Sequence, residues 1–258
     1  MVEQLYPNTL EWTLHIEEHL QRYRFASSFV NGGVVVDAAC GVGYGSYMLA
    51  LANADEVIGI DCNKSAVEFA KNAYNNPNLT FKIGNCESLH EHVPLADLVV
   101  SFETIEHLLH PESFLRSVSK ILKASGIFIC STPNILRHSL SKDNSGINPY
   151  HVSEMHFDEF KALVERFFIL EKCFYQSETE QYKRHLQTIK AVYGLIDRYN
   201  NSIISKLCLL FNNLFRSPKE PLTLPREVER ALPGDFVIEQ LNKTSDDYKN
   251  IIVVCRRK

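Results

Sequence analysis

The chain has 258 residues, 45% of them hydrophobic, and a net charge of −4, which suits one α/β domain with an elaboration and argues against a nucleic acid or anionic membrane as partner. Seven scattered cysteines with no Cys-x-x-Cys pair read as reduced thiols and exclude a disulfide frame or zinc knuckle. No run nears the roughly 18 apolar residues of a membrane span, and Met1 to Pro7 carries no signal pattern, so the expected location is cytoplasmic.

Trp12 to Val30 reads as the first helix. Leu14, Leu20, Phe25 and Phe29 fall on an apolar face, with Glu17, Glu18 and Arg22 elsewhere, and Asn31-Gly32-Gly33 stops it. Val34-Val35-Val36 then reads as a strand buried on both faces. Asp37 ends that strand. Ala39-Cys40-Gly41-Val42-Gly43-Tyr44-Gly45 turns the chain into an apolar run, Tyr47 to Ala52, that suits a helix. Strand, glycine turn and helix open a doubly wound α/β domain, where ligands lie beyond the carboxyl ends of the strands. A dinucleotide would need its pyrophosphate on bare N–H groups at the helix start, and a carboxylate at Asp37 would repel it. Ser46 stands where the third small residue of the dinucleotide fingerprint should pack. A ligand with an ammonium group and no phosphate, such as S-adenosylmethionine, suits Asp37 better.

Asp37-x-Ala39-x-Gly41-x-Gly43 resembles the first motif of the class I S-adenosylmethionine-dependent methyltransferases, acid-x-Gly-x-Gly-x-Gly, with alanine for the first glycine. His19-Leu20-x-Arg22-Tyr23-x-Phe25-Ala26 resembles the leading helix of one subgroup, where that helix closes over the cofactor. Plain helix packing is the competing account.

Glu56 to Asp61 is the second strand and ends in an acid placed to accept both ribose hydroxyls, in NAD and S-adenosylmethionine alike. Asn63 to Tyr74 is a helix, broken by Asn75-Asn76-Pro77-Asn78, and Leu79 to Ile83 is the third strand. Gly84-Asn85-Cys86-Glu87 resembles the family's Gly-Asp-x-Glu turn, whose acid meets the adenine amino group; the amide oxygen of Asn85 can accept the same bond. Asp97 to Phe102 is the fourth strand and runs into Glu103-Thr104-Ile105-Glu106-His107-Leu108. A helix from Pro111 to Leu122 carries Phe114, Leu115, Val118 and Ile121 on one stripe. Lys123-Ala124-Ser125-Gly126 ends it, Ile127 to Ser131 is the fifth strand, and Thr132-Pro133-Asn134 leaves it. This order of elements and motifs resembles the same family. The resemblance implies cofactor contacts at Tyr23, Asp37, Ala39, Gly41, Gly43 and Gly45, at Asp61 and Cys62, at Asn85, Cys86 and Glu87, and at Phe102.

Ile135 to Tyr150 is polar, with the length of a lid or binding loop. Asn148-Pro149-Tyr150-His151-x-x-Glu154 precedes a helix from Asp158 to Arg166 and a sixth strand from Phe167 to Tyr175. Asn250 to Cys255 resembles the family's antiparallel seventh strand. The expected fold is therefore a seven-stranded, mostly parallel, doubly wound α/β sheet. Its divisions are a methyltransferase core at 1–176, a helical cap at 177–235 and the closing strand region at 236–258. Glu180 to Arg216 reads as one or two helices, apolar nearly all round from Ile203 to Phe211. That stretch is a packed cap or, alternatively, a substrate lid, dimer face or partner groove. Pro218 to Pro233 reads as a connector.

Methyl transfer needs an in-line nucleophile held at the methyl, and a hydroxyl acceptor must also lose its proton. Glu106, His107 and His151 are the candidates for that chemistry. If the segment turns helically, Glu103, Glu106 and His107 share one face. With His151 they could then hold a hard divalent cation, Mg²⁺ or Mn²⁺. Glu-x-x-Glu-His with a distant His resembles the magnesium site of small-RNA 3′-end 2′-O-methyltransferases, and ubiquinone-pathway O-methyltransferases have a similar motif. The wider set, Arg22-Tyr23 through Asn148-Pro149-Tyr150-His151, resembles methyltransferases linked to surface polysaccharide and glycan modification, which implies a sugar or glycan acceptor. RNA 3′-ends and small-molecule hydroxyls are the rival acceptors. A nicotinamide oxidoreductase is opposed by Asp37 and Ser46, and a silent cofactor-binding module that docks a partner is the remaining class.

Overall fold

A computed structural model describes residues 10–134, 150–180, 182–184, 187, 236–240 and 249–258. In chain order the elements are α1 (Leu10–Ser27), β1 (Val34–Ala38), α2 (Tyr44–Leu51), β2 (Glu56–Asp61), α3 (Lys64–Ala73), β3 (Leu79–Ile83), β4 (Ala96–Phe102), α4 (Pro111–Ile121), β5 (Leu122–Pro133), α5 (Phe157–Glu165), β6 (Phe168–Glu178), β7 (Phe236–Gln240) and β8 (Asn250–Arg257). Short 3-10 turns lie at Cys86–Glu91 and Ile105–His107. The strands form one sheet in the order β3-β2-β1-β4-β5-β8-β6-β7. From β3 to β5 the pairing is parallel, and β8 runs antiparallel between β5 and β6. This is the expected Rossmann-like α/β architecture with eight strands rather than seven. The extra one, β7, pairs along the outer edge of β6 from Phe174↔Gln240 to Glu178↔Phe236. It is five residues long, and its existence depends on that neighbour rather than on any strong local pattern.

Period-two side-chain alternation explains why the central strands are apolar throughout: each face is covered. Val36, Val99, Phe128 and Val253 point to one core with Phe114, Leu115, Val118 and Phe160 from α4 and α5. Val35, Leu98, Val100, Ile129 and Ile252 point to the other with Tyr23, Ala26 and Leu49 from α1 and α2. Asn63 starts α3 by accepting from the N–H groups of Ser65 (3.0 Å) and Ala66 (3.3 Å), and Pro111 starts α4. The turn expected at Lys123–Gly126 is absorbed as a bulge in β5, where partners step from Ala96↔Leu122 to Leu98↔Ile127.

The polar side of α1 departs from expectation. Glu17, Glu18 and Arg22 are buried, Arg22 completely. They are tolerated because each finds polar partners. Arg22 Nη1 donates to Glu18 Oε1 (3.2 Å) and to Gln176 Oε1 on β6 (2.6 Å), and Lys249 pairs with Glu18. Burial opposes the charge on Glu18, but Lys249 and Arg22 overcome it and hold the carboxyl at about 2.

The loop expected before Tyr150, the connector at 218–233 and nearly all of the expected cap at 177–235 lie outside the described residues. Among the described residues no helix is long and apolar enough to cross a membrane.

Candidate functional site

The sheet order reverses between β1 and β4, and the chain-end crevice there is where ligands of such sheets bind. The turn after β1 is set by backbone handedness. Ala39 (φ 62°) and Gly41 (φ 55°) are left-handed. A Cβ at Gly41 would meet nothing within 4 Å, so Gly41 faces open space. Gly43 and Gly45 do a different job. A Cβ at Gly43 would lie 2.6 Å from Ala70, and one at Gly45 would lie 1.9 Å from the Tyr23 ring. That ring covers the turn from above, with edge contacts to Tyr44 and Phe102 at 5.7 and 5.0 Å.

Asp37 lies beneath the turn, fully buried. It accepts from Tyr23 Oη at 3.1 and 3.3 Å and from Ser46 Oγ at 2.6 Å. Burial pushes its carboxyl up to about 7, against the lowering effect of those two donors. Its visible work is to fasten α1 and α2 to β1. Asp61 ends β2, and its carboxylate accepts from the N–H groups of Gly41 and Asn63, both at 2.8 Å. Cys62 beside it is an exposed free thiol. Asn85 Oδ1 accepts from Glu87 N at 2.9 Å and so caps its own 3-10 turn, with Cys86 and Glu87 half-buried behind it.

On the other side of the crevice, β4 ends at Phe102 and Glu103 follows in the left-handed region, φ 50°. That conformation separates Glu103 from the 3-10 turn, so the face expected to join Glu103 to Glu106 and His107 is not formed. Ser131 Oγ donates to Glu103 Oε1 (2.6 Å) and Asn250 Nδ2 donates to Glu103 Oε2 (2.5 Å). Glu106, His107 and His151 do converge, with one ligand atom of each within 4.8 Å of the others; Glu103 is not among them. The convergence is stitched by backbone: Val152 N and Ser153 N both donate to Glu106 O at 2.9 Å, and Ser153 Oγ donates to Leu108 O at 2.6 Å.

Glu106 is fully buried. Thr132 Oγ1 donates to its Oε2 at 3.2 Å, while Oε1 has no hydrogen-bond partner among the described residues and stands 4.0 Å from His107 Nε2. Burial, and then the charge of Glu103, push this carboxyl well above the ordinary range. His107 Nδ1 lies 3.0 Å from the carbonyl of Tyr150. A carbonyl only accepts, so Nδ1 carries the proton and Nε2 is the basic nitrogen. His151 Nδ1 lies 2.5 Å from Glu154 Oε1, which orients His151 in the same sense. Two imidazole nitrogens and one carboxylate oxygen suit a base or a borderline divalent cation, with Mn²⁺ favoured over Mg²⁺ by the nitrogen donors.

Three polar residues of this region were given no role by sequence, Ser131, Gln176 and Asn250, and Arg22 was quoted in the leading-helix motif without a contact of its own. The Nε and Nη2 of Arg22 are buried without a hydrogen-bond partner among the described residues. They form one edge of the guanidinium fork, the geometry that grips a carboxylate in two parallel hydrogen bonds. By their chemistry, an acid at the end of β2 suits ribose hydroxyls and a guanidinium edge suits a carboxylate.

The family described as "Methyltransferase domain" matches residues 30–190. A probable S-adenosylmethionine-dependent methyltransferase of Mycobacterium tuberculosis is 35% identical over 130 residues, covering 50% of this chain and 46% of that protein. The chain thus matches about half the length of that relative. A mitochondrial ubiquinone biosynthesis O-methyltransferase of Dictyostelium discoideum is 30% identical over 112 residues, 39% of this chain and 35% of that one. Among solved structures, a Haloferax volcanii complex of the Trm112 methyltransferase activator with a methyltransferase superposes with TM-score 0.56 at 14% identity, over 95% of this chain and 93% of that one. That last likeness concerns the fold alone.

Proposed function

The chain belongs to the class I S-adenosylmethionine-dependent methyltransferases, and from that premise we propose that it methylates a hydroxyl of a sugar or glycan. The observation that carries the hydroxyl is the convergence of Glu106, His107 and His151, with both imidazoles held at Nδ1. A hydroxyl must lose a proton as it attacks, whereas a neutral amine or thiolate acceptor needs no such group at that moment. The sugar is supported by the motif set that runs from Arg22-Tyr23 to Tyr150-His151.

S-adenosylmethionine supplies the methyl group and its sulfur leaving group when bound. The chain's own residues bind and aim. Asp61 takes the ribose hydroxyls, the backbone of Gly41 gives room for close approach, and Asn85, Cys86 and Glu87 border the adenine. Arg22 grips the amino-acid carboxylate with its free edge. Tyr23 and Phe102 exclude water from above the turn. His151 accepts the acceptor's proton at Nε2, with Glu154 holding the ring as a carboxylate holds the histidine of a triad. His107 and Glu106 complete the pocket wall, where burial and the charge of Glu103 disfavour the ionised form of Glu106.

The test is labelled cofactor incubated with free sugars, lipid-linked glycans, phenols and short RNAs, with and without EDTA. Transfer to a sugar hydroxyl that survives EDTA is the expected result. His151→Ala should lower it about 100-fold with S-adenosylhomocysteine affinity kept. Transfer only to phenols or RNA overturns the sugar reading. Activity lost to EDTA and restored by Mn²⁺ reassigns Glu106, His107 and His151 to a metal.

A further inference from the structure

Glu103, Asn250 and Arg22 form a second constellation beside the glycine turn, and the sequence motifs gave the first of them a different task. Glu103 holds a left-handed backbone, φ 50°, which is unfavourable for a residue with a side chain and persists only where surroundings enforce it. The enforcement is visible: Ser131 Oγ and Asn250 Nδ2 each hold one carboxylate oxygen. Among the described residues Glu103 makes no direct ion pair, but its charge acts on Arg22 more strongly than that of Glu18, which does pair with Arg22. Asn250 is buried at the first position of β8, and its Oδ1 has no partner. Beside it in register, Gln176 accepts from Arg22. An amide oxygen without a donor (Asn250 Oδ1) and a carboxylate held by Ser131 and Asn250 (Glu103) therefore stand near guanidinium N–H groups without hydrogen-bond acceptors (Arg22 Nε and Nη2), whose charge Glu103 supports.

From this juxtaposition we infer that Glu103 binds the ammonium of the cofactor's amino-acid group, that Asn250 is the positioning residue aiming its carboxylate, and that the pair recognises a zwitterion together with Arg22. An ammonium has three donors and no acceptor. It matches a carboxylate already restrained on both oxygens and an amide oxygen left over. The inference rests on the reading that this crevice holds S-adenosylmethionine. It removes the need for buried Asp37 to meet the ligand's charge, and it gives Asn250, well beyond the family match at 30–190, a part in binding.

Calorimetric titration with S-adenosylhomocysteine, its desamino analogue and 5′-methylthioadenosine tests this without any acceptor. Wild-type protein should bind the desamino analogue about tenfold or more weakly than S-adenosylhomocysteine, as expected for a hydrogen bond to a charged group. Glu103→Gln should abolish that preference, and Asn250→Ala should reduce it, with 5′-methylthioadenosine affinity unchanged in both. A merely structural role would weaken all three ligands alike, which overturns the inference, as does a preference that survives Glu103→Gln. The wild-type comparison stands even if a variant fails to fold. Wild-type protein that ignores S-adenosylhomocysteine altogether overturns the cofactor reading itself, a different failure from normal binding without an ammonium preference.

Discussion

Asp37 was conspicuous in the sequence as an acid closing a valine strand, and its place at the end of β1 is as expected. Its burial was not legible, because the cover comes from Tyr23, fourteen positions earlier, and Ser46, nine later. That burial sets a pH dependence. The folded-state pKa is raised to about 7 from an ordinary 3.8, so the folded protein holds the proton more tightly than the unfolded chain. Stability from this group is complete below the ordinary value and declines as pH rises towards 7, by up to about 4 kcal/mol. Asp37→Asn keeps the hydrogen bond from Ser46 and removes the ionisation. Its melting temperature relative to wild type should therefore rise from pH 4 to about pH 7 and then level off, and a constant difference across that range would contradict the assignment.

Between elements, α1 shows how far periodicity reaches. A helix over this stretch follows from its composition, and Leu10–Ser27 agrees with it. Which side of that helix faces inward depended on partners that arrive much later, Gln176 and Lys249. Buried arginine is rare unless paired, and no local pattern announces such a pairing. The contact of α1 with the turn gives a contrast that calorimetry and melting curves can read together. Gly45→Ala places a methyl inside the Tyr23 ring position and should cost about 1–3 kcal/mol of stability. Gly41→Ala meets no atom and should cost only its left-handed strain, about 1 kcal/mol, while weakening S-adenosylhomocysteine the more of the two. Equal effects on stability would mean that Tyr23 does not seat against Gly45.

At the scale of the whole molecule, the closing strand decides whether the rest is a domain. β8 lies between β5 and β6 and hydrogen-bonds to both. A chain ended at residue 190, where the family match stops, would leave two long sheet edges open and uncover Ile252 and Val254 contacts on one core and Val253 and Cys255 contacts on the other. Such a fragment should show no cooperative thermal transition by circular dichroism and should aggregate, since open apolar edges pair with other chains. A fragment melting like the full chain would show that the sheet closes without β8.

The sequence by itself determined the α/β layering, the two acids at the ends of β1 and β2, the glycine turn, and the Glu-x-x-Glu-His motif after β4. These are local signals, carried by residues a few positions apart, and local spacing survives folding. Only the tertiary structure decided that Glu103 stays out of the cluster of Glu106, His107 and His151, that Arg22 is buried with two N–H groups lacking a described hydrogen-bond partner, and that Asn250 meets Glu103 across 147 positions. Those facts depend on chain segments distant in sequence, whose approach is fixed by sheet order and by the left-handed turn at Glu103 rather than by any pattern within either segment.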